Sequence, residues 1–594
     1  MMARTSKTSA AGSKTSSLDP ITVQHRARLA SERRANSGEG HTRFNEAIRR
    51  VPSIKRFPLL EPARRGNASA LRQGHSIGSS AGQWIACVLL ALAVAPLEAA
   101  PPKLKGLLHN EDCTQIFMTQ KFPPGKAGEV IDHYVDVMAD AGVTVFLCNT
   151  NDRRANYQSG VWESYWSGFD PAGSNHQPFL SAVPRQDVAR YRNLISNMRA
   201  VHEEGIDYPA RVIARCRHHG ISPWISLRMN DCHYNDIPDH PFHGGFWRNN
   251  PGYRRRNSSG YFATCLDYAR PEVRDYFKAL IQETLERYDV DGLELDLMRE
   301  PYLFSPGDEL QGAKILTAWL REIRAMVDRS AARRGHAIGL GVRVPSHPRT
   351  ALAFGLDATT WAREELIDLL VVTPRWATLE FDMPLAEWRR AIGSSQTTIA
   401  GGLEVRYQSY PSSRATTVTP ALARGAAACA LSGGADVVYL FNYFQGCWPA
   451  AEYRQTLRSM KSLDSLLALP RSVAVTYRDI TAPGESYQPL LPMTGKQLDF
   501  AIKLGPVAKT GLVCSMTIEI ASTPGQPTPA PTVAVNDIPC ERGTDESAEG
   551  VRLITYKIPL SALSRNQPQA IKITAQNQAA LTLRLVELSL NMGH

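Results

Sequence analysis

What the chain lacks narrows its chemistry first. Its 594 residues hold ten cysteines but no Cys-x-x-Cys pair, so no structural zinc site is expected. No His-Glu-x-x-His occurs, and the cluster His233, His240 and His243 lacks a tight His/carboxylate ligand spacing; the sequence calls for no metal and no cofactor. No Gly-x-Ser-x-Gly turn occurs after residue 83 to present a serine nucleophile. No glycine-rich phosphate turn follows the first predicted strand, which argues against a doubly wound nucleotide-binding sheet. The apolar run over residues 84–95 has twelve residues, whereas a helix crossing a bilayer needs roughly 20. No repeat of fixed period is present.

Charge is also scarcer than the total suggests. The formal net charge of +10 invites an anionic polymer as partner. Yet 15 of the 67 basic and 5 of the 57 acidic residues lie in residues 1–84, which leaves 52 of each sign in the rest. The body is neutral, so no nucleic acid is expected as partner. Residues 1–83 are rich in Ser, Ala, Arg and Gly with no sustained period, a composition that does not bury enough apolar surface to offset chain entropy. They read as a basic disordered leader or as the product of a start codon assigned too far upstream, with translation beginning near Leu71. Recovery of peptides from residues 1–70 in cells would refute the second reading.

Residues 84–100 suit a signal-peptide core, with Ala99 or Ala100 offering a small residue for cleavage. The protein is therefore expected to be exported, periplasmic or extracellular, with no stable membrane anchor once the signal is removed. Export permits disulfides. Spacing suggests Cys232 with Cys265 and Cys514 with Cys540, although spacing does not fix connectivity and an odd total leaves a thiol over.

From residue 101 to 469, apolar β-branched runs alternate with amphipathic stretches. Strands are expected near 114–119, 143–148, 222–227, 292–297, 338–344, 369–373, 398–403 and 437–442. Helices are expected over 128–141, 271–288, 313–334 and 420–431. In the second of these Pro271 opens the first turn, and Val273, Phe277, Leu280, Ile281, Thr284 and Leu285 line one face. Eight strands alternating with helices predict an α/β fold, a (β/α)8 TIM barrel with long insertions after the second and third strands. Over 470–594 short alternating runs separated by Pro, Gly, Ser and Asn predict an all-β sandwich, jelly-roll-like.

Barrel chemistry sits at the C-terminal ends of the strands. Those ends carry Arg228, Asn230, Asp231 and His233 on the third strand, and Glu294, Asp296, Arg299 and Glu300 on the fourth. Arg343 follows on the fifth, Arg375 and Trp376 on the sixth, Glu404 and Arg406 on the seventh, and Asn442 and Tyr443 on the eighth. Glu294 and Asp296 are two apart, so both point into the barrel, where a carboxylate must be paired, hydrogen-bonded or protonated. Arg228, Arg299 and Arg343 are candidate partners. A purely structural ion network at the mouth would use the same residues, and Glu404 has a similar bland explanation in a salt bridge to Arg375 or Arg406.

The segment Leu266-Asp267-Tyr-Ala-Arg-Pro271-Glu-Val-Arg, then a helix, then Asp289-Val-Asp291-Gly292-Leu-Glu294-Leu-Asp296-Leu-Met-Arg299-Glu-Pro301, resembles the glycosyl-hydrolase-like (β/α)8-barrel proteins. It is similar in particular to the group labelled family-10-like. The match is strong over about 40 residues. The resemblance implies a strand-four aspartate as the catalytic centre, which falls on Asp296. This chain departs from the group's common form in carrying Glu294 where others often have His, and Met298-Arg299 in place of an aromatic pair.

Glycoside hydrolysis uses two carboxyl groups flanking the scissile bond. With Asp296 as nucleophile or base, Glu404 is the expected general acid/base, and Asp231 and Glu300 are the next candidates. Substrate contacts are expected from Glu294, Arg228, Asn230, Asp231, His233, Arg299, Glu300, Arg343, Trp376 and Asn442. Trp162, Trp166 and Tyr443 are further candidates for stacking on sugar rings. The expectation is thus an exported glycoside hydrolase acting on a poly- or oligosaccharide. Two alternatives share the fold: a non-catalytic carbohydrate-binding or envelope protein, and a metal-dependent sugar deacetylase or isomerase.

Overall fold

Eight short strands, none longer than seven residues, close on themselves as each follows its neighbour by a helical crossover, all but β1 presenting apolar residues outward. The computed structural model describes residues 101–507, 512–522, 529–548, 550–565, 567–576 and 579–592. The basic leader and the expected export signal lie outside the described residues. The strands are β1 (Leu107–Glu111), β2 (Val145–Asn149), β3 (Ser222–Arg228), β4 (Gly292–Asp296), β5 (Gly339–Pro345), β6 (Leu369–Thr373) and β7 (Thr398–Glu404). A small antiparallel ribbon, β8 (Arg406–Tyr407) with β9 (Thr416–Thr417), follows, and β10 (Val437–Phe441) completes the ring. The closed order is β1-β10-β7-β6-β5-β4-β3-β2, and every pairing is parallel. The (β/α)8 barrel is confirmed.

The first strand is displaced from its expected place. Residues 114–119 have strand-like composition, but Gln115–Thr119 form a helical turn that buries Ile116 and Phe117. The strand is the polar-looking Leu107-Leu-His-Asn-Glu111, all of it buried. Propensity lost to tertiary context, because the barrel interior and the surrounding helix layer supply hydrogen-bond partners that make a polar strand tolerable.

The interior is layered. At the bottom, Trp224 fills the barrel between glycines; a Cβ at Gly292 would lie 2.2 Å from its indole and one at Gly339 2.7 Å. Leu108, Leu369, Val437 and Leu147 pack in the same apolar cluster. The polar side chains lie above this layer, toward the strands' C-terminal ends.

The C-terminal domain consists of two antiparallel sheets. One has the order β11 (Arg471–Ala474), β20 (Leu581–Met592), β14 (Leu512–Ala521), β18 (Val551–Ile558), β17 (Glu541–Ala548), with β12 (Met493–Gly495) also on β20. The other has the order β13 (Gln497–Ile502), β19 (Gln569–Thr574), β15 (Thr532–Val535), β16 (Ile538–Pro539). Alternate residues of β14 are buried, the period-two signature that sequence can show. β17 lacks that signature: it is an edge strand whose described side chains are exposed, so no apolar alternation points to it. The helix Pro420–Gly433 packs on β11 so closely that a Cβ at Gly425 would lie 1.8 Å from the carbonyl oxygen of Ser472. Glycine is what lets helix and strand meet there.

Candidate active site

Strand register builds the site. Arg228 of β3 lies opposite Asp296 of β4, which lies opposite Arg343 of β5. One row of the barrel therefore carries charges in the order plus, minus, plus, all nearly inaccessible to solvent. Arg343 Nη1 faces both oxygens of Asp296 at 3.4 and 3.3 Å, and its Nη2 donates to Glu404 Oε1 at 2.7 Å. Its guanidinium also stacks on Phe441, 3.8 Å from the ring centre. Asp296 accepts a further hydrogen bond from the Met298 N–H at 2.9 Å. Burial pushes the Glu404 carboxyl up to about 8 against the pull of Arg343.

Glu294 lies one layer deeper. Its Oε2 accepts from Asn110 Nδ2 (2.9 Å), the Ser226 hydroxyl (2.7 Å) and the Tyr439 hydroxyl (3.1 Å). Burial, then the charge of Asp296, raises it to about 7. On the other face of β1, toward the helix layer, burial raises Glu111, which accepts from the Tyr134 hydroxyl, to about 8. These deep groups contact protein and are closed off from the mouth.

Arg228 is not a partner of Asp296. It is held by Asp112, Asp152 and Asp231, three carboxylates from the ends of β1, β2 and β3. Asp112 and Asp152 were not singled out in the sequence, because each follows its strand in a loop without a motif. Asp231 also accepts from the His233 backbone N–H at 2.8 Å and pairs with His233 Nδ1 at 2.7 Å. Arg299 Nη2 stands 2.9 Å from His233 Nε2, so the chain of donors runs Arg299, His233, Asp231. Although burial opposes it, His233, Arg228 and Arg299 hold Asp231 well below the usual carboxylate range. Asp112 is lowered as well, Arg228 and Arg299 outweighing burial.

On the far side Arg375 makes two hydrogen bonds to Glu300 Oε2, at 2.8 and 3.2 Å. Burial raises Glu300 despite that partner. The partner expected for Glu404, Arg375 or Arg406, is in fact Arg343; Arg375 serves Glu300, and Arg406 lies over the Trp376 ring at 4.7 Å.

The remaining candidates divide. Trp376 and Asn442 are half-buried at the mouth, and Asn442 Oδ1 accepts the Asp112 N–H. Asn230 is buried, and its amide is engaged by the backbone of Leu266 and Tyr302. Tyr443 is also buried and donates to the Glu404 carbonyl. Trp162 is enclosed, stacked on Tyr276 at 4.3 Å, and Trp166 stacks on His202. Tyr443 and Trp162 are thus buried, and Trp166 is half-buried.

What opens to solvent is a rim. The side chains of His233 and Asp112 are 28% and 22% exposed, and those of Arg375 and Arg299 13% and 12%. A cavity of about 10 Å³ lies beside Asp152, Asn230 and Asp231, walled by Trp162, Phe246, Trp247 and Tyr276, room for about one water. Among the described residues no group of three or more His, Cys, Asp or Glu side chains is placed to hold a metal ion.

The two expected cysteine pairs differ. Cys232 and Cys265 Sγ are 2.8 Å apart, both buried, whereas Cys514 and Cys540 are separate thiols; all nine described cysteines are unbonded.

No protein-family model matches the chain, and no curated protein matches its sequence. Similar solved structures include the alpha-L-fucosidase isoenzyme 2 from Paenibacillus thiaminolyticus, at 13% identity and TM-score 0.37, over 60% of this chain and 49% of that one. The chain thus spans about half the length of that fucosidase. The PgaB (BpsB) glycoside hydrolase domain from Bordetella bronchiseptica is similar at 10% identity and TM-score 0.36, over 61% of this chain and 99% of that one. An alpha-amylase from Geobacillus thermoleovorans, complexed with acarbose, is similar at 11% identity and TM-score 0.34, over 80% and 99%. At these values the fold assignment rests on the closed eight-strand ladder itself.

Proposed function

We propose that this chain is an exported glycoside hydrolase whose carboxyl pair is Asp296 and Glu404. One observation carries the reading. Two carboxyl groups from β4 and β7, three strands apart in the ring, are bridged by one guanidinium, and their environments differ. Glu404, with a single hydrogen bond and deep burial, keeps its proton near neutral pH and suits a general acid. Asp296, with Arg343 and a backbone N–H as donors, suits the nucleophile or base. The resemblance of the β4 segment to family-10-like glycosyl hydrolases supports the same assignment for Asp296. His233, Arg299, Arg375, Trp376 and Asn442 at the rim would contact the sugar, and the export signal expected at residues 84–100 would deliver the protein to extracellular glycans.

A second reading is favoured by a specific observation: Arg343 pairs with both carboxyl groups, and neither is exposed. A carbohydrate-binding protein without turnover would have that arrangement. A depolymerisation screen with the mature protein separates the two. The catalytic reading expects a cleaved glycan, loss of turnover in Asp296→Asn, and a loss of about 10²–10⁴-fold in Glu404→Gln. Binding without cleavage, or full activity in Asp296→Asn, refutes it.

A further inference from the structure

After β11, the first strand of the β domain, the chain does not continue directly to β12. Residues 475–492 form a strap that runs back over the barrel before β12 begins. The Tyr477 hydroxyl donates to Gln408 Oε1 (2.8 Å), beyond β7. Arg478 Nη1 reaches Thr350 Oγ1 (3.0 Å), beyond β5, and Glu485 Oε1 (2.6 Å) within the strap. Asp479 makes the densest contact. Its Oδ1 accepts the N–H of Arg375 at 2.8 Å, and its Oδ2 accepts those of Trp376 and Ala377, each at 2.6 Å.

Three successive N–H groups aimed at one carboxylate form an anion nest, here filled by a side chain from another part of the chain. The turn so fixed carries Arg375, which grips Glu300 and lies 4.8 Å over the Phe262 ring, and Trp376, which lies under Arg406. The loop beyond β6 has no regular structure of its own at residues 374–384, so its N–H groups depend on an outside acceptor.

We propose that Asp479 is a positioning residue for the barrel site: by holding the Arg375–Ala377 turn it places Arg375 and Trp376 to bind the sugar. The strap thereby gives the C-terminal domain a part in substrate binding. This rests on the proposed glycosidase reading. A second effect follows from charge. Glu404 is faced by Arg343 from β5, Arg299 from beyond β4, Asp112 from beyond β1 and Asp479 from the strap; of these Asp479 and Asp112 help retain its proton and the arginines oppose it.

The test uses the full chain, with Asp479→Asn as the near-isosteric change, on a glycan that the wild type cleaves. KM should rise about tenfold, the scale of one or two lost hydrogen bonds, with kcat changed less. The falling limb of kcat/KM against pH should move to lower pH. Hydrogen exchange at the amides of Arg375, Trp376 and Ala377 should accelerate. Wild-type KM and pH profile would overturn the proposal, even if exchange accelerates, since the turn would then be merely structural. Should Asp479→Asn not fold, Asp479→Glu keeps the charge while displacing the turn, and an unchanged KM overturns the proposal there too. Failure of the glycosidase reading is distinct, because it appears as binding without cleavage by the wild type or as cleavage that survives Asp296→Asn.

Discussion

Arg343 Nη2 lies 2.7 Å from Glu404 Oε1 while the same guanidinium faces Asp296. One cation thus ties β4 to β7 through β5, at the level where a barrel enzyme would do its chemistry. A buried pair of this kind is costly to break because the partners left behind have no water to turn to.

Arg343→Met should therefore lower unfolding stability by about 3 kcal/mol or more. The loss should be larger at pH 9 than at pH 6, since Glu404 relieves its isolation by keeping a proton at the lower pH. Urea unfolding at the two pH values checks this; equal midpoints for variant and wild type would show that the guanidinium contributes nothing.

The wild type should lose stability as pH rises from 6.5 to 8. Glu404 and Glu111 at about 8 and Glu294 at about 7 are raised by burial from ordinary values near 4.5. The folded state then holds more protons than the unfolded state, so stability is full below the unfolded values and is lost as pH passes the folded ones. The buried histidines act at the other end. Desolvation lowers His109 to about 4 and His240 to about 3, so their contribution is complete above pH 6.5 and lost on acidification. Thermal midpoints should fall between pH 6.5 and 8, where the histidines no longer offset the carboxyl groups; a midpoint that climbs steadily to pH 9 would contradict this assignment.

Cys232 and Cys265 should be found as a disulfide in protein recovered from an oxidising compartment. The two thiols lose two protons and two electrons to a disulfide oxidant by thiol–disulfide exchange. The bond closes a 33-residue separation and should add about 3–4 kcal/mol. Alkylation of the denatured, unreduced protein followed by peptide mass mapping checks it; both residues alkylated would disprove the link.

Gly425→Ala should destabilise the junction between the helix Pro420–Gly433 and β11, where the new methyl would collide with the Ser472 carbonyl. A cost of about 1–3 kcal/mol or more is expected for such overpacking. An unchanged thermal midpoint would show that helix and strand separate freely.

Much of the fold was legible because its signals are local. The helix Pro271–Arg287 announced itself by Pro271 and a single apolar face, and β14 by alternation. β1 was not legible: His109, Asn110 and Glu111 become strand residues only because Tyr443, Tyr439, Glu294 and Tyr134 are there to bond them. The same limit applied to the site. Asp296 and Arg343 were named from strand ends, but Asp112, Asp152 and Asp479 sit in segments without a pattern.

By itself the sequence determined the barrel, the β domain, the neutral body and the inward pairing of Glu294 with Asp296, because period and composition are properties of neighbouring residues. Only the tertiary structure decided that Arg343 bridges Asp296 and Glu404, that Arg228 serves three other carboxylates, and that a strap from residue 475 onward holds the turn at Trp376. Those outcomes depend on strand register and on contacts between residues tens to hundreds of positions apart, and ionic partners are chosen by distance in space.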